Sequence, residues 1–382
     1  MASGAFDVIV AGVGGMGAQT CLRLAERGQR VLGLERFDIP HAMGSSHGVN
    51  RIIRLAYFEH PSYVPLLRRA YELWRDLEQR ANEPLLYITG SMDIGPSGSA
   101  VIAGSLASCR EHDLPHEVLD AEEIMRRYPG YRLPRGYEAV FQGDGGFVAS
   151  ERAIVAAVNL AMHHGAVIRA REPLIDYAPL PGGGVRVRTV KGTYEAGRLV
   201  LTSGAWIGEH VAALATNAVP ERQVLGWFQP KRPESYRLGK FPVSNLKCDL
   251  GHFYQFPIWH VPGFKIGLYH HLNETGPADA LSRDPNPADE AILREGLARF
   301  FPDANGDCLA ARVCLFTNTP DEHFILDILP GFPEVVIASP CSGHGYKFAS
   351  VVGEILAELA SGRTPSFDLG LFASSRFAAV SA

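Results

Sequence analysis

The chain has 382 residues, enough for one large core or two smaller ones, and two lobes is the better expectation. Its composition, 46% hydrophobic and 20% charged, is that of an ordinary globular protein, and a net charge of −5 gives no support for nucleic acid or an anionic membrane surface as partner. No apolar run approaches the roughly 20 residues of a membrane span, Met1-Ala2-Ser3-Gly4 lacks a basic flank, and the six cysteines include no CxxC pair that would indicate a disulfide framework or a metal site, so a cytoplasmic location is expected.

Phe6 to Ala11 reads as a buried parallel strand. Gly12-Val13-Gly14-Gly15-Met16-Gly17 follows at once and opens a helix to about Arg27, with Gly28 as its stop. Arg30 to Glu35 reads as a second strand, which makes a βαβ opening. Ser62 is the expected cap of an amphipathic helix to about Arg80. Leu85 to Ile94 reads as strand, Ala100 to His112 and Ala121 to Tyr128 as helices, and Ala149 to Gly165 as a further amphipathic helix. Ala166 to Ala170 is strand-like. A β-meander is expected from Leu174 to Glu195, turning at Gly182-Gly183-Gly184 and Lys191-Gly192. Arg198 to Ser203 reads as a separate buried strand. Residues 220–270 are strand-like and rich in aromatics, and Asn286 caps an expected helix from Pro287 to Phe301. Val335 to Ser339 is a last short strand before Ser342-Gly343-His344-Gly345-Tyr346-Lys347, which opens a long amphipathic helix. The nucleotide-type strands are scattered along the whole chain. The expected organisation is therefore discontinuous: 1–84, 146–219 and 319–382 form one domain, and 85–145 with 220–318 form a second, sheet-rich one.

Gly12-x-Gly14-x-x-Gly17 sits between a strand and a helix. Gly12 permits the tight turn, Gly14 lets backbone approach a pyrophosphate, and Gly17 allows close helix–strand packing. Glu35 ends the second strand and is placed to accept from ribose hydroxyls, which argues against a 2′-phosphate. The pattern itself does not separate NAD from FAD. The turn at Gly343 to Gly345 feeds a helix N-terminus, a favourable place for negative charge. By spacing alone, Arg51 and Arg54 read as ordinary surface arginines, with an inward anion-binding role as the alternative. Lys265 lies in an apolar strand and faces either solvent or a cleft. Cys314 reads as a small core residue or a reactive one, and His344 as a base or a capping residue.

These features occur together and in order. Gly12 to Gly17, Asn50-Arg51-Ile52-Ile53-Arg54, Phe253-Tyr254 with Lys265, the run Cys314 to Phe324, and Ser342 to Phe348 together resemble the monomeric sarcosine oxidase/N-methyltryptophan oxidase family of flavin amine oxidases, over about Phe6 to Phe372. The resemblance implies an α/β fold with an α+β second lobe: a glutathione-reductase-like, FAD-binding Rossmann domain joined to an antiparallel-sheet substrate domain. It implies FAD linked covalently through Cys314. Gly12, Gly14, Gly17, Glu35, Arg36, Ser45, Arg51, Leu174, Gly343, His344, Gly345 and Lys347 are the implied cofactor contacts. Arg54 and Lys347 match the pair that holds a substrate carboxylate. Arg51 matches a flavin-adjacent arginine, and Lys265 an oxygen-activating lysine. Tyr254, Phe316 and Cys341 are expected around the substrate.

Departures from the family pattern bear on the substrate. Asn50 replaces a threonine, Phe316 a tyrosine, and Pro340-Cys341 a glycine–aromatic pair. The pocket histidine of the family is either displaced to His270, a candidate catalytic residue, or replaced by Tyr269. The expected activity is FAD-dependent oxidation of a secondary amine, an N-methyl or cyclic amino acid, to an imine, with O2 reduced to H2O2 by a monomer that needs no metal. The alternatives are a flavin amine dehydrogenase that uses another acceptor, and a nucleotide-binding subunit with no chemistry of its own.

Overall fold

The computed structural model describes residues 6–380. Five strands build the parallel part of its first sheet, in the order Val335–Ser339, Thr193–Leu201, Phe6–Ala11, Val31–Leu34, Val167–Arg169. Parallel neighbours need long crossovers, which is why these strands come from distant parts of the chain. The meander strands Leu174–Pro179 and Val185–Thr189 extend the same sheet. The sequence places the meander and the strand from Arg198 as two elements; they are one. Thr193 to Ala196 pair with the meander, and Leu199 to Leu201 pair with Val335 to Ile337.

The helix Gly15–Glu26 packs between Ser150–His163 and Ala349–Ala360. The last of these is buried at almost every position rather than amphipathic, because it is wedged between Gly15–Glu26, the helix Val64–Ala81 and the sheet. Ser62 is not its neighbour's cap. A short 3₁₀ turn, Pro61–Tyr63, precedes that helix, and the His60 side chain accepts from Ser62 N at 3.2 Å. The strand expected over Leu85 to Ile94 is two, Leu86–Ile88 and Ser91–Pro96, which belong to different sheets.

The second large sheet runs Cys308–Asn318, Val219–Phe228, Phe264–Leu268, Gly251–Phe256, Val243–Cys248, Ser91–Pro96, Tyr137–Gln142, Glu117–Asp120. Every pairing is antiparallel except Val243–Cys248 with Ser91–Pro96. Successive side chains on a strand point to opposite faces. On one face Val313, Val224, Phe228, Ile266, Phe253, Leu246 and Ile94 form a core that also takes in Leu293 and Leu297 of the helix Pro287–Phe300. The other face carries the alternate residues and meets a small antiparallel sheet of Asn50–Ile53, Gly146–Ala149 and Leu86–Ile88.

Candidate active site

The tight turn after the first strand depends on its glycines. Gly12 has φ +99°, and a Cβ there would meet Thr202 O at 2.5 Å. A Cβ on Gly17 would come within 1.8 Å of Gly12 O, so only glycine lets the helix lie this close to the strand. Gly14 is open: its nearest neighbour for an added Cβ is Ser46 Oγ at 3.6 Å. Gly14, at the helix cap position, has no side chain to offer, and Gly15 N donates to Ser46 Oγ at 3.3 Å. Glu35 is fixed at the end of its strand, where Oε2 accepts from Val13 N at 2.8 Å and Oε1 from Phe37 N at 2.9 Å. Each carboxylate oxygen keeps a further lone pair.

These groups border a cleft of about 390 Å³. Gly12, Gly14, Glu35, Arg36, Ser45, Arg51, Leu174, Phe316, Cys341, Gly343 and Gly345 all line it. Gly17 does not; it acts by packing. Two hydroxyls on the wall, Ser203 Oγ and Ser339 Oγ, are buried with no hydrogen-bond partner among the described residues. Buried polar groups are normally paired. The open glycine turn, the fixed acid and the two orphan hydroxyls together fit a dinucleotide. Arg36 is turned partly away, since its Nη2 pairs with Asp279 at 2.7 Å.

A second chamber of about 40 Å³ opens beside the cleft, and both are lined by Arg51, Phe316, Gly343 and Tyr346. One face of the second sheet builds it. Lys265 lies opposite Trp227 and Phe256, Gly267 opposite Leu225 and Tyr254, and Asn245 opposite Tyr254 and Asp93. Cross-strand neighbours share a face, so this register gathers Asn245, Tyr254, Lys265, Leu225 and Cys314 onto one wall.

Lys265 is 1% exposed. Its Nζ donates to Gly48 O at 2.8 Å, Asn50 O at 3.0 Å and Asn50 Oδ1 at 2.7 Å, and it lies 4.2 Å from the Phe256 ring centroid. Burial, reinforced by Arg51, holds its pKa well below the usual lysine value. Arg51 braces the loop before it through Ser45 O at 2.7 Å, His47 O at 2.5 Å and Asn50 O at 2.9 Å. Arg54 is buried between the Tyr57 and Phe58 rings, each centroid 4.7 Å away. Its Nε donates to Asp93 at 3.0 Å and its Nη2 to Glu59 at 2.9 Å, which leaves Nη1 for a ligand. Lys347 Nζ donates to His344 O at 2.8 Å. Burial, reinforced by Arg54, brings Lys347 down to about 7. Burial raises the Cys314 thiol, while Arg51, Lys265 and Arg283 pull the other way.

Two expected residues are placed differently from their anticipated roles. His270 does not line either cavity. The alternation Lys265, Gly267, Tyr269 carries Tyr269 into the chamber, and His270 falls on a left-handed turn (φ +54°) beyond the strand. There Nδ1 meets Glu221 at 2.8 Å, and the two carboxylates Glu221 and Glu322 raise its pKa to about 10. Cys341 lines the large cleft, not the chamber. His344 is engaged at both nitrogens. Its Nε2 donates to Glu322 O at 2.9 Å, so Nδ1 accepts from Tyr57 Oη at 2.5 Å. With burial lowering it to about 3, it is a neutral structural link rather than a base. Tyr269, the alternative to His270, takes the place in the chamber; Asn245, Leu225 and Phe256 were not anticipated, and their alternation with core residues was the available signal.

The fold and the cleft fit a dinucleotide-binding protein, and the comparisons make the class specific. Residues 7–359 match the family model for FAD dependent oxidoreductases. The monomeric sarcosine oxidase of Streptomyces avermitilis is 39% identical over 99% of both chains. The N-methyl-L-tryptophan oxidase of Salmonella heidelberg is 35% identical over 97% of this chain and 99% of its own. The solved structure of NikD, described as an unusual amino acid oxidase essential for nikkomycin biosynthesis, superposes with a TM-score of 0.83 at 27% identity over 97% of each chain. The chain is an FAD-dependent oxidoreductase. Within that class it belongs to the family of monomeric sarcosine oxidase and N-methyl-L-tryptophan oxidase.

The glycine turn yields a direct test. Gly12→Ala combines a strained φ with a clash against backbone, and is expected to lower flavin content by about tenfold or more. The ratio of flavin to protein absorbance in purified protein measures it.

Proposed function

We propose that this protein is an oxidase of secondary amines, acting on N-methyl or cyclic amino acids and passing electrons to O2 to give H2O2. The observation that carries this reading is the chamber itself. Two buried cations, Arg54 and Lys347, face an aromatic wall that also holds a buried lysine and a cysteine. The named relatives, oxidases of sarcosine and of N-methyl-L-tryptophan, support it.

FAD, when bound, would accept a hydride equivalent from the carbon beside the amine nitrogen and pass the electrons on. Gly12, Gly14 and Glu35 would hold its dinucleotide part in the large cleft, and Cys314 would tether it covalently. The chain's own work is placement and charge. Arg54 Nη1 and the Lys347 ammonium bind the substrate carboxylate, which fixes the amine end toward the shared wall of the two cavities. Tyr254 and Tyr269 exclude water around that end. Lys265 is held by three accepting oxygens, and negative charge arriving in the chamber favours its charged form. A cytoplasmic monomer belongs to the same proposal. Among the described residues no helix is long and apolar enough to cross a membrane, and all six cysteines are free.

A panel of N-methyl and cyclic amino acids, scored by anaerobic bleaching of the flavin and by peroxide release under air, tests the activity. Bleaching without peroxide would move the assignment to a dehydrogenase. After acid precipitation the yellow colour is expected to stay with the polypeptide, and to move to the supernatant in Cys314→Ala.

Lys347 gives the pH dependence. A bound carboxylate favours its charged form. Below about pH 7 the ammonium is already present and binding is flat. Above that value the site must take up a proton to bind, so affinity for an amine-free carboxylate falls by up to about tenfold per pH unit. Spectral titration across pH 6–9, an interval of roughly three units around that pKa, should show this break. Lys347→Met should bind more weakly and without it.

A further inference from the structure

The two relatives act on amino acids of very different bulk, and the chamber bears on which kind this chain accepts. We propose that Tyr269, backed by Phe316, is the specificity wall of the chamber and restricts it to compact N-alkyl amino acids. The proposal rests on the amine-oxidase reading for its chemistry but on packing for its content. The chamber is narrow, about 40 Å³ against about 390 Å³ for the adjoining cleft.

Tyr269 cannot simply swing aside. Its ring stacks on His252 at 4.7 Å and 14°, and meets Tyr254 edge-on at 5.3 Å and Phe316 at 5.5 Å. Its hydroxyl also points to Gly343 O at 3.4 Å. Gly343 shows how tightly the wall closes over the helix-start turn. A Cβ there would lie 2.4 Å from the Phe316 ring and 2.7 Å from the Tyr269 ring. On the opposite side Tyr254 lies across Gly267, where a Cβ would be 2.3 Å from its ring. Three rings held by one another, with glycines beneath two of the contacts, make a rigid aromatic boundary. Rotating Tyr269 outward would break its stack on His252 and leave Phe316 unsupported.

The test uses the holoenzyme and two pairs of ligands. Flavin reduction is followed anaerobically with sarcosine and with N-methyl-L-phenylalanine. Binding is followed by flavin difference spectra with propionate and with indole-3-acetate, carboxylates that differ in bulk and undergo no reaction. The wild-type protein is expected to favour the smaller member of each pair by roughly 100-fold. Tyr269→Ala should narrow both ratios by about tenfold, through a gain for the larger ligand. Phe316→Ala should narrow them less, and Tyr269→Phe should leave them unchanged, because bulk and not the hydroxyl sets the wall. Equal acceptance of both ligands by the wild type, or a parallel loss for both in Tyr269→Ala, would overturn the proposal. If no amine bleaches the flavin in any variant, the amine-oxidase reading fails, and the carboxylate ratios still decide the wall. If Tyr269→Ala does not fold, Phe316→Ala carries the test.

Discussion

The register of the second sheet is the constraint on which the site depends. Each strand offers alternate side chains to two faces. One face must be apolar, to pack with the helix Pro287–Phe300, and the other holds the chamber wall. A slip of one residue would exchange them. Lys265 and Asn245 would enter the apolar core, while Ile266 and Leu246 would face the cavity. The hydrophobic demand of one face thus fixes the chemistry of the other. Five separate strands contribute to a single wall with no motif linking them, because the core residues between the site residues set their alignment.

That arrangement puts charges where water is scarce, and burying a charge is costly unless it is paired. The two deepest cations answer this differently. Arg54 is neutralised by Asp93 and Glu59, and Asp93 is in turn held by Ser105 Oγ at 2.9 Å and Asn245 Nδ2 at 2.8 Å. Lys265 instead has three neutral oxygens from the loop that leads into Asn50–Ile53. Presenting Gly48 O to it requires an unusual backbone. Gly48 has φ +98°, and Val49, a β-branched residue, sits at φ +69°. Such a conformation persists only when its surroundings hold it. Glu151 supplies that hold, accepting from Gly48 N at 2.7 Å and Val49 N at 3.0 Å. Strain in one turn is offset by a carboxylate behind it, and the result is a lysine cage.

Local signals in the sequence gave a good reading of local structure. The strand–glycine–helix opening, the capped helix after Asn286 and the meander turns all depend on neighbours a few residues apart. The site was legible where its residues sit on such elements: Gly12, Gly14, Glu35, and the cations whose spacing matched a family pattern. It was less legible where placement depends on long-range pairing. His270 and Tyr269 are adjacent, and only the end of the strand Phe264–Leu268 decides which faces the chamber. One partner of Arg54, Asp93, lies 39 residues away, so its full neutralisation could not be read from spacing. The continuous strand Thr193–Leu201 was divided in two because its halves have different neighbours and therefore different compositions.

The turn from Ser342 to Lys347 joins the two cavities, and its geometry explains why they can cooperate. Ser342 and Gly343 both have positive φ, at 55° and 77°, which reverses the chain within one step. Gly343 then touches both spaces, Gly345 the larger, and His344 and Lys347 the smaller. His344 is pinned through Tyr57 and Glu322, so its carbonyl is a fixed acceptor for Lys347. Arg54 and Lys347, the two cations assigned to the carboxylate, are consequently unlike. Arg54 is permanently charged and already paired, a rigid support. Lys347 has one carbonyl as partner and loses its proton readily. In the amine-oxidase reading, charge balance therefore rests on Lys347: the chamber gains one further positive charge when a carboxylate arrives to stabilise it, and holds less unpaired charge when empty. A second arginine at that position would keep its charge in both states and would need another buried carboxylate to accompany it.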